Sequence, residues 1–306
     1  MDADTLRALI GTSDRPEIVL RREYRATEAE VREACTSLPR LARWFGAVEG
    51  APTAVGDAFV VRLGADGSAG GSILRCDRNS VEVSWTAGPE PASILSAEWR
   101  ATRPERTELV LRHRLGAPGE IASTGAGWEQ VLADLASAFA DPLSRLPRGK
   151  AGERSVVWRT LAARPLELTQ EVDAGRARVW AAIASAEGLR TWWWRHWDDV
   201  TIEADVRVGG GYRIAAPRAG IVLEGRYLAV EAPDRLAFSW RWVDGDGASV
   251  DEAVEIVLTG DAARTRLTVR HTGPWADDAP AESYRQGWTF TLGELAAVLA
   301  SPVGAQ

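Results

Sequence analysis

The chain repeats itself, and this internal duplication constrains the fold more than any other feature. Landmarks of the first half recur in the second half in the same order: Trp44 is matched by Trp192, and Gly127-Trp128 is matched by Gly287-Trp288. The offset between the matched positions only grows along the chain, as expected when small insertions collect in surface loops. The sequence therefore predicts two copies of one domain.

The copies are expected at residues 17–141 and 165–301. Residues 1–16 are predicted to be an N-terminal extension with a short helix from Asp4 to Ile10. Residues 142–164 are rich in proline, glycine and arginine, which is typical of a linker.

Hydrophobic periodicity gives the same order of elements in both copies. A strand-like run, Ile18 to Tyr24 or Leu166 to Val172, opens each copy and is followed by helix. In the first copy Thr27 and Glu30 have the spacing of a capping box. Alternating apolar residues then indicate about six antiparallel strands, and apolar residues at helical spacing indicate a long last helix. We predict an α+β fold with two tandem domains, each a curved antiparallel sheet of about seven strands wrapped around a long C-terminal helix.

Several motifs of the second copy resemble one protein superfamily. They are the Trp-rich stretch at residues 189–193, the glycine-led strand at 210–213, the run from Gly225 to Leu236, the strand from Thr265 to His271, and Gly287-Trp288. These motifs resemble the SRPBCC superfamily, which includes START domains and the birch-pollen allergen and has the helix-grip fold. The branch they resemble is that of the heat-shock-protein ATPase activator homologues. The resemblance covers residues 166–300 well and residues 18–140 more loosely.

The resemblance implies a cavity between the long helix and the sheet. It implies several roles, so the fold alone does not decide the function. We expect a protein that binds a small hydrophobic or aromatic molecule, with the cavity best developed in the second domain. A natural-product cyclase, hydrolase or self-resistance protein using the same cavity is the alternative, and a co-chaperone-type protein-interaction module is the third reading.

Aromatic residues are the predicted ligand-binding residues because the chain holds 14 tryptophans against five phenylalanines and four tyrosines. In the second domain they are predicted, together with His271, to be Trp193, Trp197, Tyr212, Phe238, Trp240, Trp242, Trp275 and Trp288. In the first domain they are predicted, together with His113, to be Trp44, Phe59, Trp85 and Trp128. Trp192, Trp193, Trp194 and Trp197 cannot all face inward from one helix, so we expect some of them to line a cavity mouth, to pack on the neighbouring domain or to be exposed.

The candidate catalytic residues are His271, Glu224 and Tyr284. An inward imidazole can act as a general base or anchor a polar group of a ligand, while the simpler interpretation is a half-buried histidine bonded to backbone or water. Three scattered histidines and two distant cysteines give no metal site, and no cofactor is predicted.

The overall charge argues against two classes of partner. A formal charge of −7 disfavours nucleic acid, because phosphate binding needs a concentrated positive field. No apolar run is long enough for a membrane-spanning helix, and no secretory signal is expected at the N-terminus. We expect a cytoplasmic protein with no membrane partner, and the oligomeric state is left open.

Overall fold

The computed structural model describes residues 5–50, 52–63, 67–88, 91–140 and 151–300. The chain forms two compact units, with the division between Arg159 and Thr160. Each unit contains one antiparallel sheet and one long helix near its C-terminal end. The predicted α+β fold with two tandem helix-grip domains is confirmed.

The described residues of the first unit form an eight-stranded sheet in the order β1-β2-β8-β7-β6-β5-β4-β3. Its strands are β1 (Thr5–Gly11), β2 (Pro16–Tyr24), β3 (Ala47–Glu49), β4 (Ala58–Leu63), β5 (Gly67–Asp77), β6 (Ser80–Ala87), β7 (Ser93–Arg103) and β8 (Arg106–Arg114). Its helices are α1 (Glu28–Thr36), α2 (Leu38–Trp44) and the long α3 (Ile121–Ala140).

The described residues of the second unit repeat this plan, in the order β10-β11-β12-β13-β15-β16-β9, with β14 paired to β13. Its strands are β9 (Leu166–Val172), β10 (Thr201–Ala204), β11 (Gly211–Ala216), β12 (Ile221–Glu231), β13 (Arg235–Asp244), β14 (Gly247–Ala248), β15 (Glu252–Gly260) and β16 (Thr265–Thr272). Its helices are α5 (Arg176–Ile183), α6 (Ala186–Arg190) and the long α7 (Ala279–Ala300). The helix α4 (Ala151–Ala163) precedes β9.

The prediction of a helix between Asp4 and Ile10 is wrong. Residues Thr5–Gly11 form β1, which pairs antiparallel with β2 as an added strand of the first sheet. A short apolar run has no clear periodicity, so helix and strand cannot be told apart by pattern alone. Gly11, with φ of +82°, and the turn after it mark a hairpin instead.

Part of the predicted linker is helical. Helix α4 covers residues 151–163, and Trp158 on it is fully buried against α3. A side chain at Gly125 of α3 would collide with the indole of Trp158. Residues 141–150, the rest of the predicted linker, lie outside the described residues.

The core of the second unit lies between the long helix and the sheet. Inward-facing strand residues such as Val254, Ile256 and Leu258 alternate with outward ones, as the pleat of a strand requires. They pack against α7 through Trp288, Leu292, Leu295 and Leu299. Gly225 on β12 has no room for a side chain, because an added Cβ would lie 1.9 Å from the carbonyl oxygen of Ser239. That close approach brings Tyr212 into the core, where its hydroxyl donates to the same carbonyl at 2.9 Å.

Candidate functional site

A cavity of about 490 Å³ lies in the second domain beneath the N-terminal half of α7. Of the twelve described residues that line it, seven are aromatic: Trp193, Trp194, Trp240, Trp242, Trp275, Tyr284 and Trp288. Ser283 and Gly287 line it from α7 and are themselves exposed, so the cavity opens to solvent. Its volume lies within the range of small-molecule sites, about 300–1,000 Å³.

The run of three tryptophans supplies part of this wall. Trp192, Trp193 and Trp194 are all buried, and two of them line the cavity, which is one of the expected arrangements. They do not continue a helix: α6 ends at Arg190, and Trp194 adopts the left-handed backbone conformation, with φ of +50°. The turn lets Trp192 enter the core and donate to Ala182, while the other two indoles line the cavity.

A carboxylate lies among these rings. Glu252, the first residue of β15, lines the cavity, and its side chain is 5% exposed. One carboxylate oxygen accepts from the Trp275 indole and the other from the Tyr284 hydroxyl, each at 2.8 Å. Trp275 reaches this position because it folds over Gly273, where a Cβ would lie 2.3 Å from its Nε1. Burial raises the pKa of Glu252, although the hydrogen bonds from Trp275 and Tyr284 favour its charged form.

His271 on β16 lies behind the cavity wall and is fully buried. The Trp288 indole donates to its Nδ1 at 3.4 Å, so the neutral ring carries its proton on Nε2. That nitrogen has no hydrogen-bond partner and lies 3.9 Å from a carboxylate oxygen of Glu252. Burial lowers the pKa of His271 to about 3, which makes it a neutral and weakly basic group near neutral pH.

The first domain has a smaller cavity in the corresponding place, of about 290 Å³. Here the Trp128 indole donates to Nδ1 of His113 at 3.0 Å, and Nε2 of His113 lies 2.8 Å from the hydroxyl of Ser93. The Ser93 hydroxyl in turn donates to the carbonyl of Trp85 at 2.9 Å. Both ring nitrogens are therefore hydrogen-bonded. Burial lowers the pKa of His113 to about 4.

The predicted ligand-binding residues fall into two groups. Those that line a cavity are Trp193, Trp240, Trp242, Trp275 and Trp288 in the second domain, and Trp85, His113 and Trp128 in the first. Tyr212 and Phe238 instead border a void of about 20 Å³ in the core. Trp197 is half-buried against Trp194, while Trp44 and Phe59 pack in the first core without lining its cavity.

Of the three candidate catalytic residues, Tyr284 and His271 contact each other, with ring centroids 4.4 Å apart. The third candidate, Glu224, does not line the cavity. It follows the inward Leu223 on β12, so the pleat turns it outward, where it pairs with Arg241.

Sequence reasoning missed Glu252 and Trp194. A signal for Glu252 was present, because Glu252 has the same parity along β15 as the inward residues Val254, Ile256 and Leu258. Nothing in the sequence pattern signalled the left-handed conformation that turns Trp194 inward.

Comparison with known proteins agrees with the predicted resemblance. The family described as "Activator of Hsp90 ATPase homolog 1-like protein" matches residues 173–300, which is most of the second domain. The second domain is therefore similar to this family, and the chain folds as two tandem helix-grip domains. No curated protein sequence matches it.

Solved structures also resemble the chain. CalU16 from Micromonospora echinospora is 28% identical, with a TM-score of 0.44, over 52% of this chain and 99% of that one. DynU16, a protein in the dynemicin biosynthetic locus, is 19% identical, with a TM-score of 0.39, over 96% of this chain and 97% of that one. CV1439 from Chromobacterium violaceum is 25% identical, with a TM-score of 0.37, over 45% of this chain and 99% of that one.

Among the described residues, no helix is long and apolar enough to cross a lipid bilayer. The same residues contain no cluster of three or more histidine, cysteine, aspartate or glutamate side chains that could hold a metal ion.

Proposed function

We propose that the second domain binds a small apolar or aromatic molecule in the cavity beneath α7. The observation that carries this proposal is an open cavity of about 490 Å³ with seven aromatic residues among its walls. Indole rings offer wide apolar contact, which suits flat aromatic and terpenoid molecules. The predicted absence of nucleic-acid and membrane partners, and the predicted cytoplasmic location, stay predictions.

The proposal is tested by titrating the full chain with a panel of flat aromatic and terpenoid molecules while recording tryptophan emission and melting temperature. A bound molecule should change the emission and raise the melting temperature, because a ligand that binds only the folded state stabilises it. If no member of a broad panel changes either quantity, the proposal is wrong.

Two substitutions locate the binding. Trp242→Ala removes a lining indole and should weaken binding, whereas Trp197→Ala removes a neighbouring indole that does not line the cavity. Equal weakening by both substitutions would contradict the assignment to this cavity.

Catalysis on a natural product is the second candidate, favoured by the contacts among Glu252, Tyr284 and His271. The low pKa of His271 makes it a poor base, so Glu252, whose pKa is raised, is the better acid–base group. Glu252→Gln should then abolish turnover of an aromatic polyketide-type substrate while leaving the binding of neutral ligands intact. Loss of binding and turnover together would count against a catalytic role. A co-chaperone-type protein partner stays a prediction.

A further inference from the structure

The second cavity combines aromatic walls with one buried acid. Glu252 is the only charged residue among the described residues that line it. The Glu252 side chain is 95% buried, and the hydrogen bonds that it accepts come from the neutral side chains of Trp275, Tyr284 and Ser249. A buried carboxylate is costly unless a positive charge lies beside it.

The described part of the protein provides no cation for this carboxylate. His271, at 3.9 Å, is the nearest basic group and is neutral near pH 7. Arg241 follows Trp240 on the neighbouring strand, but it points to the outer face and pairs with Glu224. The Glu252 carboxyl group therefore faces the cavity with hydrogen-bond donors beside it but without a counter-charge.

Aromatic rings around such a position attract cations. The face of a tryptophan or tyrosine ring carries partial negative charge, and a cation held near it gains about 0.5–2 kcal/mol, with the larger values in desolvated sites. The net charge of −7 adds a favourable long-range field for positively charged molecules.

We propose that the second domain's cavity recognises small molecules that carry a cationic nitrogen, a protonated amine or a quaternary ammonium, seated among the indoles with its charge toward Glu252. This inference rests on the proposed binding function and specifies its ligand class. A neutral apolar ligand would fill the same space but leave the carboxylate without a counter-charge.

The test compares two probes of the same shape. Benzyltrimethylammonium and neopentylbenzene differ in having a charged nitrogen or a neutral carbon at the branching position. Each is titrated into the full-length protein at pH 7.5, with tryptophan emission as the readout and saturation as the criterion for binding. The cation should bind at least about tenfold more tightly than the neutral probe, the size expected of a desolvated cation–aromatic contact beside a carboxylate.

Matched variants assign the preference to Glu252. Glu252→Gln keeps an acceptor for Trp275 and Tyr284 but removes the charge, so the preference should fall to within about twofold. Glu224→Gln removes the same charge from the outer face of the sheet and should leave the preference unchanged. Tyr284→Phe keeps the Glu252 charge and should retain most of the preference for the cation. This third variant is informative even if Glu252→Gln is too unstable to study.

The possible outcomes separate this inference from the proposed function. Saturable binding of both probes with equal affinity, or a preference that survives in Glu252→Gln, would overturn the cation proposal and leave the binding function standing. Loss of the preference in each of the two single variants, Tyr284→Phe and Glu224→Gln, would also overturn it, because both keep the Glu252 charge. Failure of both probes, together with the apolar panel, to bind would overturn both proposals.

Discussion

The two domains place a tryptophan and a histidine in the same arrangement but complete it differently. In each, an indole on the long helix donates to Nδ1 of a histidine on the last strand. In the first domain the other nitrogen, Nε2 of His113, is hydrogen-bonded to Ser93, whereas Nε2 of His271 has no partner. The buried histidine of the first domain is therefore fully hydrogen-bonded, whereas that of the second keeps one unpaired nitrogen beside a cavity.

Strand register shows which residue makes the difference. Ser93 pairs with Trp85 across β6 and β7, and Glu252 pairs with Trp240 across β13 and β15. The two residues occupy equivalent positions, so one position holds a short hydroxyl in one domain and a carboxylate in the other. A duplicated scaffold can thus keep its packing while a single inward position changes the chemistry of its cavity.

The domains also differ in how the long helix is anchored, and this difference leads to the largest expected effect. Glu129 on α3 accepts two hydrogen bonds from Arg7 of β1, at 2.7 Å each, and one from Trp158 of α4 at 2.6 Å. Glu129→Ala would remove the carboxylate that accepts both hydrogen bonds from the buried Arg7 guanidinium, so we expect a loss of about 3–5 kcal/mol of unfolding free energy. Urea unfolding of the variant and of the unmodified protein measures this loss.

The control lies in the other domain. Thr289 occupies the matching position of α7, directly after Trp288, and is exposed. Thr289→Ala should therefore change the free energy of unfolding by no more than about 0.5 kcal/mol. A small effect of Glu129→Ala, comparable to that of the control, would show that β1 and α4 are held by packing alone.

The two buried histidines should destabilise the folded protein in acid over different pH ranges. Burial lowers the pKa of His113 to about 4 and of His271 to about 3, against an ordinary value of 6.5. Below pH 6.5 each histidine becomes protonated in the unfolded chain but stays neutral in the folded protein. The free energy of unfolding therefore falls as the pH falls. The loss ends near pH 4 for His113 and near pH 3 for His271, at about 1.4 kcal/mol per pH unit for each.

Single variants separate these contributions. Urea unfolding between pH 6.5 and 4.5 should show a shallower pH dependence in His113→Gln and in His271→Gln than in the unmodified protein. Between pH 4 and 3 only His271→Gln should still differ. Glu252 has the opposite effect on the pH dependence, because its raised pKa makes the folded state more stable as the pH falls. Glu252 is therefore kept in every variant that is compared. Identical curves for all three proteins would contradict the buried neutral state of both rings.

The hydroxyl of Ser93 offers a smaller test of the same comparison. Ser93→Ala would leave Nε2 of His113 buried without an acceptor, and we expect a cost of about 1–3 kcal/mol. Ser123→Ala, on the exposed side of α3, is the matched control and should cost little. If Ser93→Ala proves equally harmless, the incomplete pairing of His271 cannot be what distinguishes the second domain.

Much of the fold could be predicted because its signals are periodic. Alternation along β15 and helical spacing along α7 follow directly from which face is buried. The N-terminal strand was missed because seven residues are too few to show a period. It is stabilised as a strand by pairing with β2, a contact between segments that propensity does not report.

The site was harder to predict than the fold. The aromatic excess indicated a cavity wall, yet which tryptophans line it depends on the turn at Trp194 and on the depth of each ring beneath α7. Glu252 was distinguishable from Glu224 only by the parity of its strand position. Burial of a charged side chain is also rare enough that a carboxylate is ordinarily expected to face water.

The first helix of each copy gives the smallest expected effect. Thr27 caps α1 through a capping box with Glu30, whereas α5 begins after Gly175, which provides no side-chain cap. Thr27→Ala should cost about 1 kcal/mol, measured as a lower urea midpoint with an unchanged slope. Ser185→Ala, which removes the cap of the short helix α6, is the second-domain comparison. A loss confined to Ser185→Ala would mean that packing of Val31 and Cys35, rather than the cap, stabilises α1.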